Sequence, residues 1–369
     1  MLRYHQVIPQ QQKDQYTEYD SVDFEMTFEN RFLAPSSIRI EADLEVLADG
    51  SNLIATEKIY IDPKIGAHSF ISTITTELQN GGVIENYQEV PRYMRMLADT
   101  TMANSDVMNS ENTCELRTPN IKLSQAVLAG NKMNAGAATV VPPDFSIKPN
   151  FCLNTINAPL DYNKTGAIRV TIKLARNFAA LYGPDVKAAT SYQLKNLKLV
   201  YSSVDKSMAK ANQKVSMRTK LNIKQTASSA LSNISTKVPA VCRAVSCSFQ
   251  KLSDENSMFY NNVETVVPPN IKELSFMFND TQNEYITYLM KGREEVLARY
   301  IDSFADTGSN DISLELLEAS KGYGIGLQFG TASAPSFIDL SNQKFNLQIT
   351  SDIAEGYILY MFFHSVATV

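Results

Sequence analysis

Histidine is scarce. The 369-residue chain has three, His5, His68 and His364, far apart in sequence. No Cys or His pair has the spacing of a zinc site, which argues against a cupin-type metalloprotein, whose metal needs a histidine cluster. The four cysteines, Cys114, Cys152, Cys242 and Cys247, are too few for a disulfide framework at this length and fit a reducing, intracellular place of synthesis. Cys242 and Cys247 are five apart, so on a regular strand they face opposite ways and read as structural thiols. His68 precedes Ser69, but no Gly-x-Ser-x-Gly elbow is present. Gly322, Gly324, Gly326 and Gly330 do not fit the dinucleotide-binding pattern and open no helix. In a strand, glycines so spaced mark bulges or close backbone packing. No catalytic residue, cofactor site or metal site is expected.

Long apolar runs are also missing. No window approaches the roughly 18 apolar residues of a membrane span. The first twenty residues are polar, with Gln10-Gln11-Gln12, and lack the apolar core of a signal peptide. The net charge of −5 is too small for nucleic-acid binding over the whole surface. With 44 % apolar and 20 % charged residues, the chain has an ordinary globular composition, long enough for two domains of roughly 180 residues.

What the sequence has in abundance is alternation. Val22, Phe24, Met26 and Phe28 alternate with acidic or polar neighbours, as do Ile38, Ile40, Ala42, Leu44 and Val46, and each run reads as a half-buried strand. Shorter strands follow at 57–61 and 70–78. Residues 86–103 carry the one helical pattern of this half, with Val90, Tyr93, Met94 and Leu97 on one face and Pro91 tolerable only in the first turn. A loop over 105–149 leads to a strand at 145–156. Ile168, Val170, Ile172 and Leu174 then alternate with polar residues, and a last strand runs over 192–201. There the apolar phase slips between Leu194 and Leu197, which predicts a β-bulge at Lys195-Asn196.

Past a junction at 202–208 the order repeats. Strands are expected at 215–223, 238–249 and 271–278. Thr281 to Glu284 fits a capping box and opens a helix to 304, followed by the glycine-rich strand 323–329. Phe345, Leu347 and Ile349 alternate with Asn346, Gln348 and Thr350. Tyr357 to Phe363 is then apolar on both faces, the mark of a strand covered on both sides. The repetition is one of architecture, with little literal identity. It divides the chain into an arm at 1–19, a first unit at 20–204 and a second at 205–369.

On this pattern the chain resembles the double jelly-roll major capsid proteins of tailless icosahedral viruses, in particular bacteriophages with an internal membrane. The resemblance rests on Gly66 to Ser72, Val83 to Glu85 with Pro91-Arg92-Tyr93, Gly166 to Ile172, Tyr323 to Phe329 and Tyr357 to Val369, and covers most of 20–369. It implies an all-β fold of two tandem eight-stranded antiparallel jelly rolls, each with a flanking helix. It further implies a homotrimer shaped as a pseudo-hexagonal tile, with neighbouring capsomers and vertex proteins as partners in a virion built in the host cytoplasm. The rival within the same kind of virus is a vertex, minor capsid or receptor-binding sandwich. That rival predicts aromatic and acidic residues at a loop tip, and the loop 105–149 has almost no aromatics.

One charge feature is left over. From Lys206 to Lys251 inclusive there is no Asp or Glu, whereas there are nine Lys and Arg residues. Lys206, Lys210, Lys214 and Arg218, next to the junction, are the candidates for contacting lipid headgroups or genome phosphate inside the particle. The plainer reading pairs this run with acids such as Glu41, Asp43 and Glu45. In the arm, Leu2, Tyr4, Val7 and Ile8 among polar residues suit a segment that orders against a neighbour or a membrane.

Overall fold

The computed structural model describes residues 2–51, 57–101, 114–117, 144–208, 213–227, 231–238, 241–265, 271–278, 293–304, 321–322, 324–329, 337–341, 344–351 and 356–369. Most of the loop 105–149, the capping box at 281–284 and Lys210 lie outside these.

Among the described residues eighteen strands form four antiparallel sheets, and none of these sheets mixes strands from the two halves. In the first half, β2 (Ser21–Met26), β9 (Ile168–Leu174), β5 (Ile71–Leu78) and β6 (Gly82–Gln88) lie side by side in that order. The facing sheet runs β7 (Asp144–Ile147), β4 (Arg39–Leu47), β10 (Ser191–Asp205), β3 (Arg31–Leu33) and β8 (Leu160–Asp161). It is completed by β1 (Arg3–Val7), which pairs with β10. Residues 1–19, set apart as an arm in the sequence, thus carry a strand of this sheet. The two sheets meet through Tyr192 of β10, which stands 4.6 Å from Phe70 just before β5 and donates its hydroxyl to Ala175 O just after β9 at 2.5 Å.

The second half repeats the plan. β12 (Leu231–Lys237), β17 (Lys344–Ser351) and β14 (Ile271–Phe278) form one sheet. β11 (Ser216–Ala227), β18 (Tyr357–Thr368), β13 (Val241–Lys251), β15 (Ile325–Gln328) and β16 (Ile338–Asp339) form the other. Taken in chain order, β1, β2, β4, β5, β9 and β10 match β11, β12, β13, β14, β17 and β18, and the pairings are conserved across the match. β10 lies between β1 and β4 as β18 lies between β11 and β13; β9 lies between β2 and β5 as β17 lies between β12 and β14. The two closing strands of each half therefore belong to opposite sheets, and Phe345 of β17 meets Phe363 of β18 across the core at 5.1 Å. Among the described residues the second unit has eight strands, whereas the first has ten because β3 and β8 add short pairs at its rim.

Several local expectations meet the coordinates directly. The register of β10 against β4 shifts between Lys195 and Lys198, with Asn196 at φ 52°, a left-handed conformation that Asn tolerates better than most residues. The helix begins later than its pattern suggested. Residues 82–88 are strand β6, with Glu85 and Tyr87 inward, and Glu89 at φ 55° turns the chain into α1 (Val90–Thr101). Pro91 then sits in the first turn, where a missing N–H costs nothing. Among the described residues, segment 57–61 pairs at Tyr60 with Tyr182 alone, and Asp62-Pro63 ends it. β7 stops at Ile147 before Pro149, and 152–155 is a 3₁₀ turn. A second helix, α2 (Arg293–Asp302), packs on β15. A Cβ added to Gly324 would lie 2.5 Å from the Tyr300 ring, and one on Gly326 would lie 2.7 Å from Ser303 Oγ. The glycines are there for close packing.

The cysteine reading needs correction. β13 has an extra residue between Cys242 and Ala244, so Cys242 pairs with Ser365 while Cys247 pairs with Met361. Those partners are an even number of residues apart, so both thiols face the same side of the sheet. Both are buried, and neither forms a disulfide among the described residues.

Candidate functional site

The feature that dominates the interior is the seam between the two rolls. α1 belongs to the first roll in sequence, yet it is buried on nearly all sides, because it lies across the outer face of β18 in the second. Arg92 stacks over the Tyr360 ring at 4.0 Å. Tyr93 is 5.3 Å from Phe362 and 5.6 Å from His364. Phe304, just past α2, completes a three-ring cluster, 5.2 Å from His364 and 5.8 Å from Tyr93. The odd-numbered residues of β18, such as Phe363, meet β17 in the sandwich core, while Tyr360, Phe362 and His364 meet helices. This is why Tyr357 to Phe363 has no polar face: the whole run is buried.

Of the charges that α1 brings into the seam, Arg95 and Asp99 are paired. Among the described residues Arg92 meets only neutral acceptors through Nη2 and a ring face, with Nε and Nη1 buried and without hydrogen-bond partners. Arg95 is buried between Asp62 and Asp99, with Nε 2.8 Å from Asp99 Oδ2 and an ion pair from Nη1 to Asp62. Lys64 joins Asp99 from the first roll, and Asn261 of the second donates to Asp62 Oδ2 at 2.7 Å. Arg92 Nη2 donates to Gln250 Oε1 at 2.9 Å and to Asn262 O. Gln250 Oε1 also accepts from the Tyr360 hydroxyl at 3.0 Å. A buried charge lacking such partners costs several kcal/mol.

The seam also seals a sheet edge. Among the described residues β11 pairs with no strand on its outer side, where β6 of the first roll lies beside it, and its peptide N–H groups at every second residue point at the first roll. Asn157 Oδ1 accepts from the Ser216 N–H at 3.0 Å, Thr155 Oγ1 from the Arg218 N–H at 2.9 Å and Glu85 Oε1 from the Lys220 N–H at 2.8 Å. Asn157 N–H returns a bond to Ser216 O at 3.1 Å. Three side chains thus occupy the place of a missing strand. Glu85 Oε2 accepts from the Cys152 N–H at 2.7 Å. Burial raises the Glu85 carboxyl above the ordinary range, partly offset by Lys220 and the two peptide donors.

The basic run does not form one surface. Lys206 and Lys214 are exposed, while Arg218 is half-buried at the seam edge. Lys220 is buried, with Nζ on Asn150 O at 2.6 Å, and Arg243 is buried too. Lys224 pairs with Glu255 at 2.6 Å. The plainer partners are also different from those anticipated. Glu41 and Glu45 take Lys198 and Lys195 of β10 at 3.2 and 2.7 Å, and Asp43 accepts from Asn196 at 2.5 Å. His68 is wholly buried, 3.4 Å from Glu115 and 3.2 Å from Arg117 Nη2. Its neighbour Ser69 is buried as well. Sequence reasoning singled out Glu85 and Arg92 only as part of a resemblance, and Tyr93 also as a member of the helix's apolar face. The available signal was a set of charges, Arg92, Arg95 and Asp99, at three- and four-residue spacing on an otherwise core-facing helix.

No protein-family model matches the sequence, and no curated protein does. The fold, by contrast, matches solved structures along the entire chain. The Faustovirus major capsid protein superposes with a TM-score of 0.63 at 9 % identity, covering 100 % of this chain and 90 % of that one. The PBCV-1 virus capsid does so with 0.61 at 10 %, covering 100 % and 94 %. The mavirus major capsid protein gives 0.52 at 11 %, covering 98 % and 86 %. The chain has the double jelly-roll architecture of these proteins.

His364 supplies a test of the seam. Burial, followed by Arg243, Lys220 and Arg218, holds its imidazole well below the ordinary value of 6.5, and Nε2 lies 2.8 Å from Ser246 Oγ. Below that value the unfolded chain takes up a proton that the folded chain refuses, so stability falls as pH drops through it. His364→Gln is expected to flatten the fall in melting temperature between about pH 7 and pH 5. An unchanged slope would mean that the other histidines carry it.

Proposed function

We propose that this chain is the major capsid protein of an icosahedral virus, a structural subunit with no catalytic step, located in the virion shell. The observation that carries the reading is the full-length match of both rolls, together with their order, to capsid proteins. The physics of the fold agrees. A shell subunit must present rigid lateral walls, and two sandwiches joined by a buried seam move as one block. Two similar blocks per chain let three chains form a six-lobed tile through repeated heterologous contacts that close a ring. A vertex or receptor-binding role in the same particle is not favoured, since the superposed structures are capsid and major capsid proteins.

Its partners in this reading are copies of itself, then neighbouring capsomers and vertex proteins. Lys206 and Lys214, exposed beside the roll junction in a run without carboxylates, are assigned to contact anionic headgroups or genome phosphate on the inner face, with Lys210 and Arg218 of the same run.

The direct test is the mass of the purified chain by size-exclusion chromatography with light scattering, followed by electron microscopy. Trimers of six-lobed outline are expected; a chain that stays monomeric at every concentration contradicts the reading. For the inner face, Lys206→Gln with Lys214→Gln is expected to weaken trimer binding to anionic vesicles or DNA, more so at low salt. Equal binding by variant and wild type would remove that assignment.

A further inference from the structure

The internal repeat makes β1 and β11 counterparts. Each flanks the last strand of its roll, β10 or β18, on the side away from β4 or β13. Their outer edges are not treated alike. That of β11 is sealed by Glu85, Thr155 and Asn157 of the other roll. That of β1 meets no strand among the described residues. The register sets Tyr4 opposite Ser202. Ser202 turns its peptide groups the other way, to Ala34 and Ser37, so the N–H and C=O of Tyr4, and of Gln6 by alternation, point outward.

The side chains add to the asymmetry. On the inner face His5 stacks on Tyr201 at 4.7 Å and reaches Ser203 Oγ at 2.7 Å, which fixes β1 in place. On the outer face Leu2, Tyr4 and Ile8 are 45 %, 74 % and 55 % exposed. A positioned edge strand with open peptide groups and an apolar stripe is a template for another chain.

We infer that the outer edge of β1 is where a second copy of this chain docks, through its second roll, repeating between chains the contact that the first roll makes on β11 within one. The inference rests on the capsid reading and deepens it by naming the surface. Around a ring, every edge of this kind is then covered once, alternately by an intrachain and an interchain neighbour. A ring is what such head-to-tail contacts produce when their rotation closes. The same contact also explains why so apolar an edge is tolerated on the chain.

The experiment compares wild type with two variants. Tyr4→Pro removes an outward N–H that β10 does not use, so the fold keeps its ladder. Tyr4→Lys with Ile8→Lys leaves the backbone intact and charges the stripe. Each is examined by light scattering, far-ultraviolet circular dichroism and hydrogen exchange over residues 3–8. The expected result is a trimeric wild type with protected amides at Tyr4 and Gln6, and a threefold fall in mass for either variant with an unchanged spectrum. A trimeric wild type whose residue 3–8 amides exchange freely, or variants that stay trimeric, would overturn the docking surface and leave the capsid reading standing. A monomeric wild type would overturn both. Binding of the wild type to phospholipid vesicles that is lost with Tyr4→Lys, without any change in mass, would assign the stripe to a membrane and overturn the inference.

Discussion

A strand with no polar face has to be covered twice. β18 is such a strand, and its requirement organises the molecule. One side is filled in the ordinary way, by the facing sheet of its own sandwich through contacts such as Phe345 with Phe363. The other side is filled mainly from outside the sandwich, by a helix that the chain laid down some 260 residues earlier. α1 is therefore a shared element. It continues from the edge strand of one sheet system and serves as part of the core of the other, and a single apolar cluster runs through both rolls.

This arrangement accounts for the polar chemistry at the seam. A helix wedged between two sheets has no solvent side, so any charge on it must be matched in the interior. Arg95 is matched by Asp62 and Asp99, while Arg92 is matched only in part, by Gln250, Asn262 and the Tyr360 ring. Such pairs add little net stability over apolar packing, but breaking one partner is costly. Their effect is to fix one relative position of the rolls. The side-chain seal on β11 works in the same direction, since Glu85, Thr155 and Asn157 meet backbone donors at a two-residue repeat that permits no slip. A tile that must meet its neighbours in register needs this rigidity.

Most of the fold was legible because its signals are local. Alternation marked β2, β4, β9 and β17, and a one-residue change of phase marked the bulge at Asn196. The double-faced apolar run of β18 announced cover on both sides, but nothing local named the cover. Failures occurred where a distant partner decides. Residues 86–88 carry apolar spacing compatible with either a strand or a helix, and pairing with β5 settles them as strand. A bulge at Arg243 turns Cys242 and Cys247 to the same side, contrary to simple counting. The basic run reads as one patch in sequence, yet the fold sends Lys220 and Arg243 into the seam and leaves Lys206 and Lys214 at the surface. Charge in a sequence has no direction until the topology supplies one.

The central claim is that α1 of the first roll holds the second roll together. Hydrogen exchange of a Tyr93→Ala variant tests it most directly, because the substitution lies in one roll and the readout in the other. Loss of a buried aromatic ring costs about 3 kcal/mol, so the amides of β11, β13 and β18 are predicted to exchange roughly a hundredfold faster. Faster exchange confined to α1, β5 and β6, with the second roll protected as before, would contradict the account.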